Sequence, residues 1–194
     1  SGKQMNRLIQ GDVGAGKTVV AIGAILMALD NGFQAAFLAP TEILAEQHYR
    51  TLSEHLKDLS VNIRLLTGSQ KKALRTDILT DIEGGSAQIV VGTHAIIQDQ
   101  VNFHNLGLAV IDEQHRFGVK QRADLLNKGE HPHMLVMSAT PIPRSLAMTV
   151  YADLDVSIIK DLPAGRIPIK TAIRSDKKRE DVMNFVRQEI QDGG

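Results

Sequence analysis

Gly11-Asp12-Val13-Gly14-Ala15-Gly16-Lys17-Thr18 follows the apolar segment Arg7 to Gln10 and precedes the apolar-periodic run Val19 to Leu29. A strand, a glycine-rich turn ending in Lys-Thr and a helix, in that order, make a phosphate cradle. Glycines let successive backbone N–H groups turn inward, and the helix adds its unpaired N–H groups and its positive end. The reading predicts nucleotide contacts from Gly11, Val13, Gly14, Ala15, Gly16, Lys17, Thr18 and Val19. Lys17 is expected on the β and γ phosphates of ATP, with the Thr18 hydroxyl facing Mg²⁺.

Outward from this loop, apolar strand candidates recur at 6–10, 34–39, 61–66, 87–92, 107–111 and 133–138, separated by segments long enough for crossover helices. That rhythm predicts an α/β fold, a P-loop domain with a mostly parallel sheet covered by helices on both faces. The runs 106–111 and 134–137 are almost continuously apolar and so read as central strands. Helices are expected at 41–56, capped by Thr41, and at 71–82, closed by Gly84-Gly85. Lys17, Thr41, Asp112 and Ser138 each fall at the C-terminal end of a strand, where open α/β sheets bind ligands. The pattern changes after Ala152. One more strand is expected at 155–160, then a connector through Pro163, a strand at 167–173 and a helix at 177–190, the opening of a second domain.

The 194 residues are 43% hydrophobic, enough for one substantial core. Lys and Arg balance Asp and Glu at 22 each, so no global field advertises a nucleic acid, although a local groove can still be basic. The lack of cysteine excludes disulfides, thiolate metal sites and a cysteine nucleophile, and fits a reducing cytoplasm. No apolar run approaches the roughly 20 residues that span a membrane, so no membrane role is expected.

A second chemical element is Ala109-Val110-Ile111-Asp112-Glu113-Gln114-His115, two adjacent carboxylates after an apolar strand. Successive side chains on extended backbone point in different directions, which lets the two take different tasks. Asp112 is expected to hold Mg²⁺, and Glu113 to deprotonate the water that attacks the γ phosphate. His115 has no set of metal-ligand partners around it, so coupling or hydrogen bonding suits it better than zinc. Ser138-Ala139-Thr140 ends the next apolar strand, and its hydroxyls can bond across to His115 or the carboxylates. Arg144 faces either bound phosphate, a further domain or solvent. Thr41, Gln47 and His48, then Thr67-Gly68, then Thr93-His94 can offer hydroxyls and turn amides to a nucleic-acid backbone. Five Phe, two Tyr and no Trp favour backbone tracking over base stacking.

Taken in order, the phosphate loop, Ala39-Pro40-Thr41-Glu42, Gly92-Thr93-His94, Asp112-Glu113-Gln114-His115 and Ser138-Ala139-Thr140 resemble the first RecA-like motor domain of superfamily 2 helicases. Met5 to Leu8, Ala39 to His48, Asp112 to Val119 and Ala139 to Arg144 are similar more narrowly to the RecG family of bacterial branched-DNA translocases. Transcription-repair coupling translocases share much of this but usually carry a second glutamate where this chain has Gln114. The resemblance implies an ATP-dependent motor acting on branched duplex DNA, stalled forks and Holliday junctions in recombination and repair, alongside replication-associated proteins. It assigns hydrolysis to Lys17, Thr18, Asp112 and Glu113. It assigns DNA contact or coupling to Thr41, Gln47, Thr67, Gly68, Thr93, His94, Gln114, His115, Ser138 and Thr140. It further implies that 1–160 form the first motor domain and 161–194 a connector and the start of the second. The wedge domain and the second domain's arginine fingers are expected elsewhere in the parent protein. Two rivals stand beside this reading. A small-molecule P-loop phosphotransferase would respond to a metabolite rather than DNA, and a non-catalytic DNA-binding module has no need of Lys17, Asp112 and Glu113 together.

Overall fold

The computed structural model describes residues 4–112, 119–140, 154–161 and 171–191. Seven strands form one sheet: β1 (Asn6–Gln10), β2 (Gln34–Leu38), β3 (Ile63–Leu66), β4 (Ile89–Gly92), β5 (Leu106–Asp112), β6 (His133–Ser138) and β7 (Asp155–Ile158). Their order is β3-β4-β2-β5-β6-β1-β7. All six pairings are parallel. Every strand therefore ends on the same edge, and the loops that follow β1, β2, β3, β4, β5 and β6 are gathered there.

Helices α1 (Lys17–Asp30), α2 (Glu42–His55), α3 (Lys72–Glu83) and α4 (Val119–Leu126) supply the crossovers, with a short 3-10 turn at His94–Ile97. Alternation along the strands sends side chains into two separate cores. Phe37, Val91, Val110 and Leu135 face Ile25 of α1 and Leu52 of α2. Leu8, Val90, Ile111 and Val136 face Ile82 of α3, Ile96 and Leu125 of α4. Both faces are thus covered, which is why the inner strands carry almost no polar residue. Among the described residues, Gln34 is a buried polar exception, as are Gln10 and Ser138 at the ends of their strands, and both polar atoms of the Gln34 amide are bonded. Nε2 donates to Ile82 O and Ala87 O at 3.0 and 2.7 Å, while Oε1 accepts from Asn105 N at 2.9 Å.

The element boundaries refine the expectations. Thr41 caps α2 by accepting from Leu44 N, and Gly85 follows α3 in the left-handed region at φ 77°. The strand expected at 155–160 ends at Ile158 and pairs with β1 through Arg7↔Asp155. Arg7 reinforces that pairing by donating to Ser157 Oγ at 2.8 Å and Asp155 Oδ2 at 3.1 Å. Much of the strand expected at 167–173 lies outside the described residues, and 171–173 form no strand. The chain divides into two compact units, 1–163 and 164–194. In the second, helix α5 (Arg179–Gln191) exposes Val182, Phe185, Val186 and Ile190 along its length.

Gly92 closes β4 where no side chain fits. A Cβ there would lie 2.0 Å from Leu66 O on the neighbouring strand and 3.2 Å from Ile96 Cδ1. Because backbone is the obstacle, β3 itself must shift. Gly92→Ala is expected to destabilise the chain by about 3 kcal/mol, the upper part of the overpacking range. Urea unfolding measures this, and a loss under about 0.5 kcal/mol would show that the strands part without cost.

Candidate nucleotide site and flanking loops

The phosphate loop leaves β1 at Gln10 and enters α1 at Lys17. Gly14 and Gly16 hold φ of 81° and 88°, a region closed to most L side chains. Gly16 is the N-cap of α1 and offers no capping side chain, so the first-turn amides of the helix keep their capacity for an anion. The Lys17 ammonium lies on the loop itself, donating to Gly11 O at 2.8 Å and Asp12 O at 2.9 Å. Gly11 N donates to Ser138 O at 3.2 Å, which stitches the loop to the end of β6. Val13 and Val19 are exposed at 71% and 60%.

Asp112 ends β5, and Met137 beside it belongs to β6, whose far neighbour is β1. Two strand spacings of about 4.8 Å each separate Asp112 from the strand that bears the phosphate loop. The Asp112 carboxylate is held by His48 of α2, whose Nε2 lies 2.7 Å from Oδ2. Glu113, Gln114, His115 and Arg144 fall outside the described residues.

Ser138 and Thr140 bond each other rather than Asp112. Their hydroxyls are 2.9 Å apart, and Thr140 N donates to Ser138 Oγ at 3.2 Å. Gln10 Nε2 reaches Thr140 O at 3.5 Å. Among the described residues, this segment is therefore joined to the phosphate loop through Ser138 O and Gln10, not to the carboxylate.

The residues that the sequence reading assigns to DNA contact divide by exposure. Gln47, Gly68 and His94 reach solvent, and Thr41 does so in part. Thr67 and Thr93 are 4% and 3% exposed. Thr67 N donates to Gln70 Oε1 at 3.1 Å, whereas the buried Thr93 hydroxyl has no hydrogen-bond partner. In this conformation these two threonines shape their loops, and neighbouring groups present the surface.

Sequence reading missed Glu42. Its Oε1 accepts from Gly68 N at 2.8 Å and Ser69 N at 3.1 Å, and Oε2 accepts from Ser69 Oγ at 2.7 Å. The first turn of α2 thereby grips the loop after β3. The Ser69 hydroxyl, opposed by partial desolvation and helped by the Ser69 and Gly68 amides and by His94, holds the Glu42 carboxyl below its ordinary value. A depressed carboxyl stabilises the fold above its unfolded pKa, and that contribution disappears as pH falls through the folded value. The protection factors of the Gly68 and Ser69 amides, measured against the intrinsic exchange rate at each pH, should accordingly fall on acidification below the ordinary carboxyl range. Glu42→Gln should be poorly protected at neutral pH and lose that acid dependence, and unchanged protection in this variant would remove Glu42 from the clamp.

A cleft of about 500 Å³ lies at the opposite, N-terminal edge of the sheet, lined by Met5, Met27, Phe33, Gly107 and His133 among others. It lies where strands start, and none of its lining residues belongs to the 11–18 loop. The polar, strand-end loops therefore carry the site. No helix among the described residues is long and apolar enough to cross a membrane.

Comparison with known proteins agrees with this fold. The DEAD/DEAH box helicase family model matches residues 1–149. The chain is 56% identical over 189 residues to the ATP-dependent DNA helicase RecG of Synechocystis, covering 97% of this chain and 23% of that protein. It is 51% identical over 194 residues to the Thermotoga maritima protein of the same name, covering 100% and 25%. A solved structure of RecG bound to a three-way DNA junction superposes with a TM-score of 0.79 at 48% identity, over 100% of this chain and 26% of that one. A DEAD box protein from Methanococcus jannaschii shares the fold with a TM-score of 0.62 at 24% identity, over 80% and 46%. The chain spans about a quarter of the length of the RecG relatives it matches.

Proposed function

Because the chain belongs to the DEAD/DEAH box helicase family, we propose that it is the first motor domain of an ATP-dependent translocase that moves on branched duplex DNA, regressing stalled forks and branch-migrating Holliday junctions. The observation that carries this reading is the likeness, over the whole chain, to a RecG held on a three-way DNA junction. Residues 1–160 form that motor domain, and 161–194 are the connector and the start of the second.

The residues present suit Mg²⁺-ATP. Thr18 at the head of α1 and Asp112 at the end of β5 offer hard oxygen donors. The His48 bond engages one Asp112 oxygen, Oδ2, and Oδ1 remains for the ion or its water. When bound, Mg²⁺ neutralises charge on the β and γ phosphates. The chain's own part begins with Gly11, Val13, Gly14, Ala15, Gly16, Lys17, Thr18 and Val19, which form the cradle. Lys17 turns from the carbonyls of Gly11 and Asp12 toward phosphate oxygens. Glu113 accepts the proton of the attacking water. Thr41, Gln47, Thr67, Gly68, Thr93 and His94 line or shape the edge along which the DNA backbone runs. Gln114, His115, Ser138 and Thr140 connect that edge to the nucleotide.

The deciding measurement is phosphate release by the full-length protein without DNA, with linear duplex and with a model fork. Stimulation greatest with the fork is expected. Turnover indifferent to DNA and raised by a small acceptor would favour a phosphotransferase instead.

A further inference from the structure

The His48 ring is held from two sides. Its face packs on Phe37, a fully buried ring of β2, with centroids 4.5 Å apart and planes inclined at 42°. Its Nε2 lies 2.7 Å from Asp112 Oδ2, and the two side chains are only 13% and 14% exposed. An ionised carboxylate only accepts, so the shared proton sits on Nε2, which donates. Sixty-four residues separate the partners in sequence; the fold brings them together because β2 and β5 are neighbours. Phe37 pairs with Val110 on β5, two residues before Asp112, so one stretch of sheet carries both the ring's support and the carboxylate it holds.

We propose that His48 is a positioning residue for the metal carboxylate: through Nε2–H it fixes the rotamer of Asp112 and directs Oδ1 at Mg²⁺. The inference rests on the assignment of Asp112 as the residue that faces the ion. Groups behind a ligating side chain set its orientation, and their loss commonly lowers metal affinity by about 10- to 100-fold. The position of His48 adds a connection. Glu42, six residues earlier on α2 and about 9 Å along a helix axis, grips the Gly68-Ser69 loop. A single rigid helix thus holds the loop proposed to meet DNA at one point and the carboxylate proposed to meet the metal at another.

The test uses the full-length protein and a fluorescent, non-hydrolysable ATP analogue, and reads the Mg²⁺ concentration giving half-maximal binding. His48→Phe keeps a ring against Phe37 but removes the N–H, and His48→Gln restores an N–H at similar reach. His48→Phe should raise the Mg²⁺ midpoint by about tenfold, leave Mg²⁺-free binding unchanged and lower fork-stimulated phosphate release, while His48→Gln recovers most of the midpoint. Equal impairment of the two variants would show that packing alone matters and overturn the proposal, as would a wild-type midpoint in His48→Phe. If His48→Phe fails to fold, judged by thermal melting, the cycle of His48→Leu, which also lacks the N–H, with Asp112→Asn decides. The two effects must be less than additive, since the histidine has nothing left to orient once the carboxylate is gone; additive effects overturn the proposal. A wild-type midpoint in Asp112→Asn alone would instead remove Asp112 from the ion site, a failure distinct from that of His48.

Discussion

Purified by itself, the 194-residue chain is expected to hydrolyse ATP at least about 10³-fold more slowly per site than the full-length protein on fork DNA. The cradle, Lys17 and Asp112 lie on one edge of one sheet, and they can hold the triphosphate and the ground-state charge. Negative charge that develops on the transferring phosphoryl group calls for a further cation. In related phosphate-transfer systems an arginine brought from outside the domain contributes roughly 10³ to 10⁵ in rate. The family resemblance places such arginines in the second motor domain, and this chain spans only a quarter of its relatives. Turnover of both proteins at saturating ATP, Mg²⁺ and DNA makes the comparison. Equal rates per site would end the split-site account and show that this domain completes its own transition state.

Within the full-length protein, Glu113→Gln should lower fork-stimulated hydrolysis by about 10²- to 10⁴-fold, the range for loss of a general base, and leave Mg²⁺-ATP binding within a few-fold. The amide keeps the shape and the hydrogen-bonding reach of the carboxylate but takes no proton. Asp112→Asn should differ by weakening the Mg²⁺-dependent part of binding as well, because it removes charge beside a hard cation. Lys17→Ala should weaken nucleotide binding even without metal. The ammonium that now rests on Gly11 O and Asp12 O is the group available to meet phosphate. Nucleotide affinity with and without Mg²⁺, paired with phosphate release, separates the three. Normal hydrolysis in Glu113→Gln, with Asp112→Asn alone inactive, would deny Glu113 the role of base.

Local chemistry explains what could be read before the fold was seen. The phosphate loop needs glycine at fixed steps and lysine at its end, so it is visible in eight letters. Strands buried on both faces must be apolar throughout, which exposes β5 and β6 directly. The all-parallel sheet then forces strand ends to one edge, and Lys17, Asp112 and Ser138 follow as neighbours of that edge. Helix α4 escaped because its eight residues include Lys120, Gln121, Arg122 and Asp124, and Leu125 is its fully buried anchor. The contacts of His48 with Asp112 and of Glu42 with Gly68 were invisible for another reason. Each joins residues distant in sequence, and each depends on which strands become neighbours. Exposure was equally hidden: Thr67 and Thr93 look like solvent-facing loop hydroxyls until the sheet and the 3-10 turn close over them.

The place of β1 in the sheet fixes an order of events. β3 and β4 are joined through residues only 26 apart, Asn62 with Gln88. β1 finds its neighbours far later in the chain: Met5 bonds His133, 128 residues on, and Arg7 reaches Asp155, 148 residues on. Distant pairings form late because loop closure must precede the contacts that reward it. The strand that carries the phosphate loop is made before the other described strands of its sheet and must wait, unpaired on both sides, until β6 and β7 have followed. Pulse-labelled amide exchange during refolding should show Leu8 and Ile9 protected after Val90 and Val91; the reverse order would mean that the cradle nucleates the sheet. A chain stopped before β6 could build the β3-β4-β2-β5 half of the sheet and still have no flanking strand to hold its nucleotide loop, so competence to bind ATP arrives only with completion of the domain.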